Sequence, residues 1–203
     1  MEETLKALAV FEAYSHHRGV TMQHYHTDNG RFTDRQFMEA TSSKYQTVSF
    51  YGVNAHFQNG RAEQRIRDLQ DQVRNVLLRS VARWPKSSSA HLWSYAVHYV
   101  NDVRNNIPTG DNTVSPLQKF IGTSVQTKVT TFYTFDCPIN ALNSVLESGK
   151  KLPKWDARCV LGLYLGNSPR HIRSVSQVFK LDTDRVSSQF RVIHDEFFGT
   201  IAL

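Results

Sequence analysis

The longest regular alternation of apolar and polar positions runs from Gln58 to Leu78, QNGRAEQRIRDLQDQVRNVLL. Ile66, Leu69, Val73, Val76 and Leu77 recur there at three- and four-residue intervals, which places them on one face of a helix. Trp84-Pro85 stops that helix, because proline lacks the amide hydrogen and its ring clashes with the preceding turn. Residues 2–14 show a weaker helical pattern, with Leu5, Leu8, Ala9 and Phe11 along one side. Residues 20–26 (VTMQHYH) alternate loosely and lead to the turn pair Asn29-Gly30, so a strand is expected. Residues 32–45 read as helical with Phe37 and Met38 inward, and residues 47–53 (TVSFYGV) as a short central strand. A further helix is expected over 90–106 with Ser88 or Ser89 as its cap, and a short one from Pro116 to Ile121.

The period changes in the last third of the chain. Cys137 to Leu142, Cys159 to Leu165, Val175 to Leu181 and Val186 to Ile193 are short β-rich runs, separated by turn residues at Gly149, Pro153, 166–169 and 182–184. They predict a small β-barrel of SH3-like type, with Trp155, Phe197 and Phe198 as core or edge packing. The resulting partition is an α/β region over 1–108, a linker with a short helix over 109–130, and a β domain over 131–203.

At 203 residues and 40% hydrophobic content the chain can bury a core of this kind. No run approaches the roughly eighteen apolar residues of a membrane span, and the acidic start MEETLK is unlike a secretory signal. Two cysteines, Cys137 and Cys159, build neither a disulfide framework nor a four-ligand zinc site, so a reducing, intracellular setting is expected. His16, His17, His24 and His26 have no cysteine near them and read as polar surface or strand residues.

Charge changes the picture more than composition does. The net charge is +6, and the excess is uneven: residues 31–108 carry eleven basic and six acidic side chains, residues 1–30 two and four. Arg61, Arg65, Arg67, Arg74, Arg79 and Arg83 all lie on the long helix. Guanidinium forks suit phosphate, so this helix is a candidate nucleic-acid surface; an ordinary solvated face, partly neutralised by Asp68 and Asp71, is the plain alternative. Two carboxylates stand at structurally telling places. Glu63 falls in the first turn of the long helix, where it can cap the helix or present oxygens to a metal. Asp28 ends the 20–26 strand, where it can cap a turn or do the same. A strand ending in Asp, then a helix, a strand and a second helix opening with Glu could bring the two acids to one ion.

The segments HTDNG (26–30) and QNGRAEQR (58–65) resemble those of copia-type long-terminal-repeat retrotransposon integrases, especially copia-like elements of diatoms and other algae. The likeness continues through LWSYAVHYVNDVRNNIP, SPLQKFIG, FYTFDCPINAL, KLPKWDARCVLGLYLGNSPRH and VSSQFRVIHDEFF, and so covers nearly the whole chain. The resemblance implies a partial ribonuclease-H-like core, a mixed sheet with helices, followed by the SH3-like domain. It implies Asp28 and Glu63 as the second and third acids of an Asp-Asp-Glu triad, holding Mg2+ or Mn2+ for phosphoryl transfer. By the same resemblance Asn59 and Arg67 contact DNA, with Arg61 and Arg65 as basic neighbours. Partners would be element ends and target DNA, with a second copy or the rest of the polyprotein, in the nucleus or a retrotransposon particle. None of residues 1–27 is Asp, so the expectation is a fragment without the first acid, not catalytically complete alone. The alternatives are a non-catalytic nucleic-acid-binding remnant, a structural or assembly module, and a nuclease that cuts DNA without joining it.

Overall fold

The computed structural model describes residues 2–52, 60–88, 90–108, 113–122 and 132–200. The protein is mixed α/β and falls into two compact units. One comprises residues 1–68 with 117–124, the other residues 69–116 with 125–203. The division cuts the long helix after Asp68, whereas the expected partition ran 1–108, 109–130 and 131–203.

In the first unit, α1 (Glu2–His16) precedes a β-α-β element: β1 (His24–Thr27), a 3-10 turn (Arg31–Thr33), α2 (Arg35–Ser42) and β2 (Thr47–Phe50). The two strands pair in parallel, His24 opposite Thr47 and Thr27 opposite Phe50. A parallel pair needs a crossover between its strands, and α2 supplies it, capped by the Asp34 carboxylate accepting from the Gln36 amide. Phe37 is buried with the rings of Tyr25 and Phe32 edge-on to it. Met38, expected inward, is exposed, because residues adjacent on a helix point 100° apart and Phe37 takes the inner position. The strand over 47–53 is shorter than expected and belongs to a two-stranded sheet, so it is not central. Among residues read from sequence only as helical surface, Glu12 does more. Its carboxylate accepts from the Tyr25 hydroxyl and Gln46 amide, both at 2.8 Å, and pairs with Lys44, tying α1 to β1 and to the segment entering β2. Burial opposes its ionisation, yet the hydrogen bonds from Lys44, Gln46 and Tyr25 hold the carboxyl below the usual range.

The second unit is built on a five-stranded antiparallel sheet. Its strands are β3 (Pro138–Leu142), β4 (Cys159–Asn167), β5 (Ser176–Lys180), β6 (Arg185–Gln189) and β7 (Val192–His194), in spatial order β6-β5-β4-β3-β7. The sheet does not close into the barrel expected from the sequence. The run expected as one strand over 186–193 divides at Phe190-Arg191: β6 pairs with β5 at one edge and β7 with β3 at the other. Strand β4 is central, and its apolar run is buried on both faces, as its position demands. Leu163, Leu165 and Phe179 face a cluster with Val73, Leu92, Ala96 and Val100, while Tyr164, Val178, Ile139 and Ala141 form a second cluster on the other side. Alternation with period two along each strand produces both cores from one sheet.

Helix α3 (Gly60–Arg83) contributes Val73 to the first cluster, with Leu69, Val76 and Leu77 packed against it; Ile66 from the same predicted face is 56% exposed. Helix α4 (Trp93–Asn106) contributes Ala96 and Val100. These contacts explain why the later part of α3 groups with the sheet. Ser88 does not cap α4; its hydroxyl lies 2.7 Å from that of Ser80, while the cap position is Leu92. Ser89 lies outside the described residues. Below α3 the Arg83 guanidinium donates to Asp136 at 2.8 Å, and the Trp84 indole donates to the Asp136 carbonyl at 3.1 Å. Asp136 is almost fully buried, which pushes its carboxyl up, against the pull of Arg83. Helices α5 (Pro116–Ile121) and α6 (Ser144–Glu147) are short. Trp155 (89% exposed) and Phe197 (97%) are not packing residues, contrary to expectation; Phe198 does pack against the second cluster. Cys137 is buried, its thiol pushed up to about 12 by desolvation, and Cys159 is exposed; both are free. Among the described residues no helix is long and apolar enough to cross a membrane.

Candidate active-site carboxylates

Asp28 follows the last residue of β1, at the carboxyl end of the parallel pair. In open parallel sheets that end is where loops gather polar groups around ligands. The turn holding it is pinned twice. The Asn29 amide donates to the Tyr51 carbonyl at 2.9 Å, joining the ends of the two strands, and the Gly30 amide donates to Asp28 Oδ1 at 3.2 Å. A Cβ on Gly30 would stand 3.4 Å from Asp28 Oδ1, so a larger residue would press on the carboxylate. The turn-capping role that sequence alone allows for Asp28 is therefore present. Oδ1 serves it, and no bond to Oδ2 occurs among the described residues.

On one side of the pair lie His24 and His26, alternating on β1, with Thr47 and Ser49 opposite them on β2. His24 Nδ1 is 2.7 Å from the Thr47 hydroxyl and His24 Nε2 is 2.8 Å from the Ser49 hydroxyl. His26 Nδ1 is 2.6 Å from that same Ser49 hydroxyl. These imidazoles are exposed strand residues engaged by hydroxyls, as their pattern implied.

Glu63 lies in the first turn of α3, its side chain half exposed. Its nearest charge is Arg67, one turn on, at 3.9 Å. At 100° per residue Glu63 and Arg67 differ by about 40°, so they share a helix stripe; Arg61 stands about 160° from Glu63, on the opposite side. Arg65 is displaced by about 160° the other way and is half buried. The arginines that sequence grouped together thus separate. Arg67 accompanies Glu63, while Arg61 and Arg65 present another side of the helix. Asn59 and the loop over 54–59 lie outside the described residues. Among the described residues no group of three or more His, Cys, Asp or Glu side chains gathers as a metal-holding cluster.

No protein-family model matches the chain, and comparison with curated proteins gives no match. Among solved structures, the chain is similar to one chain of a cryo-EM structure of the simian T-cell lymphotropic virus intasome in complex with PP2A regulatory subunit B56 gamma. The similarity covers 91% of this chain and 60% of that one, at 14% identity and a TM-score of 0.40. A likeness of that size assigns neither an activity nor a site to the residues described above.

Proposed function

We propose that this chain is part of a retrotransposon-type integrase, with a ribonuclease-H-like core and an SH3-like β domain, acting on DNA by metal-dependent phosphoryl transfer. The observation that supports the reading most is one of order and placement. The HTDNG segment leaves a parallel strand with Asp28 at its carboxyl end, a crossover helix and second strand follow, and Glu63 opens the next helix. Both motifs that carry the family resemblance thus stand where a carboxylate pair of this kind would be used. Asp28 and Glu63 would hold Mg2+ or Mn2+, since both offer only hard oxygen donors. When bound, the ion would supply charge neutralisation at the scissile phosphate. The chain's own contributions are positional. The Gly30 amide orients Asp28 Oδ1, and the bond from Asn29 to Tyr51 fixes the turn against the second strand. Arg67, on the stripe of Glu63, offers a bidentate fork to a DNA phosphate, with Asn59, Arg61 and Arg65 as further backbone contacts.

Binding of a labelled DNA duplex, followed by anisotropy in Mn2+ or in chelator, tests this reading. Mn2+ should tighten binding severalfold in the native protein; Asp28→Asn or Glu63→Gln should remove that gain, and Arg67→Ala should weaken binding in both media. A second reading, a non-catalytic nucleic-acid-binding module, is favoured by the lack of a third ligating side chain beside the pair among the described residues. Salt-sensitive binding indifferent to chelator and to Asp28→Asn would establish it instead.

A further inference from the structure

Within the second unit a cavity of about 470 Å3 opens between α3 and α4. This lies in the range of pockets that enclose small organic ligands, roughly 300–1,000 Å3. Its apolar wall comes from both helices: Val76 on α3, Val100 and Val103 on α4, and Ile107 just beyond α4. The ring of Tyr99 completes that wall, and its hydroxyl donates to the Tyr133 carbonyl at 2.9 Å, which fixes the ring in place. The polar lining is of one kind. Arg79 from α3 and Arg104 from α4 supply guanidiniums, Gln72 and Asn75 supply amides, and no carboxylate lines the cavity. Asp102, two residues from Arg104, is already engaged by the Asn106 amide at 2.9 Å and by Arg173 at 3.2 Å. Residues two apart on a helix face different ways, so Asp102 does not neutralise the wall that Arg104 joins.

Two guanidiniums beside an aliphatic and aromatic surface, with no acid among the lining residues, define the complementary ligand. Its body should be apolar, and its charged group should be a planar or tetrahedral oxyanion able to take bidentate bonds. We propose that the α3–α4 cavity binds a small organic anion of the aromatic carboxylate or sulfonate class, with the ring against Val76, Val103 and Tyr99 and the acid on Arg79 and Arg104. This site uses none of the residues assigned to the metal or to DNA, so it stands or falls apart from the proposed activity.

The test uses the full chain and two fluorescent probes that share a ring system, the anion 8-anilinonaphthalene-1-sulfonate and the neutral N-phenyl-1-naphthylamine. The anion should bind saturably at one site per chain. Arg79→Met and Arg104→Met should each weaken it about tenfold, the scale of one charge-assisted hydrogen bond, while the neutral probe changes less than about twofold. Val103→Trp, which fills the cavity, should abolish binding of both probes. Arg79 is exposed and its replacement leaves the core untouched, so that variant decides the matter even if Val103→Trp does not fold. Unchanged anion affinity in both arginine variants, several probe molecules per chain without saturation, or binding that survives a folded Val103→Trp variant would overturn the proposal.

Discussion

Lowering the pH from 7 to 5 should weaken the sheet unit through a single imidazole, that of His194 at the end of edge strand β7. Its ring stacks on Tyr133 with centroids 3.5 Å apart and planes 5° from parallel, and lies edge-on to the buried Tyr164. Its Nε2 is 3.2 Å from the Ser176 hydroxyl, and no carboxylate pairs with it among the described residues. Burial therefore lowers its pKa from 6.5 to about 4. Because the folded value is depressed, the unfolded chain takes up the proton first as pH falls. The associated stability is fully present above 6.5, declines between 6.5 and about 4, and changes no further below that. At pH 5 the unfolded ring is charged and the folded one neutral, which costs about 2 kcal/mol, or nearer 1 kcal/mol once the partial exposure of the ring is allowed for. His194→Phe keeps a flat ring for Tyr133 and has nothing to protonate. Urea unfolding followed by tryptophan fluorescence reads the effect, since Trp84 packs against the first core cluster and bonds to Asp136. Between pH 7 and 5 the native chain should lose about 1–2 kcal/mol more than the variant does. Equal losses in the two proteins would refute the account of a buried neutral imidazole.

Two further perturbations probe the joint between α3 and the sheet and the sheet itself. Arg83→Ala leaves the buried Asp136 carboxylate without its cation and should cost about 2 kcal/mol in the same urea measurement, below the roughly 3–5 kcal/mol of a fully buried pair because the guanidinium reaches solvent. Gly162→Ala should cost about 1–3 kcal/mol and lower the melting temperature in calorimetry, because its Cβ would stand 2.4 Å from Val178 Cγ1 and 2.8 Å from the Phe179 carbonyl oxygen, and backbone cannot step aside.

The parts of the fold that could be read from sequence are those fixed by local periodicity. Strand β4 was visible because a central strand needs apolar residues on both faces, and α3 because its apolar stripe is long. What depended on pairing was hidden. Nothing in residues 186–193 tells that the chain crosses from one sheet edge to the other at Phe190-Arg191, and with that switch the barrel becomes an open sheet. Trp155 shows the limit of reading burial from residue type: its neighbours Lys150, Lys151, Lys154 and Arg158 are all exposed, and that polar setting was the better guide. At the candidate site, motif spacing placed Asp28 at a strand end and Glu63 in a helical first turn. Spacing could not separate Arg67 from Arg61 and Arg65 until the helical start near Gly60 set their angles. The Glu12 network joins residues 13 to 34 positions apart, a distance over which no local pattern operates.

The central claim is that Asp28 and Glu63 act together on one divalent ion. Calorimetric titration of Mn2+ into the native chain, Asp28→Asn and Glu63→Gln tests it most directly. The account predicts specific binding in the native chain that is lost in both variants while their melting temperatures are kept. Absence of binding to a folded native chain, or binding that survives either substitution, would contradict it.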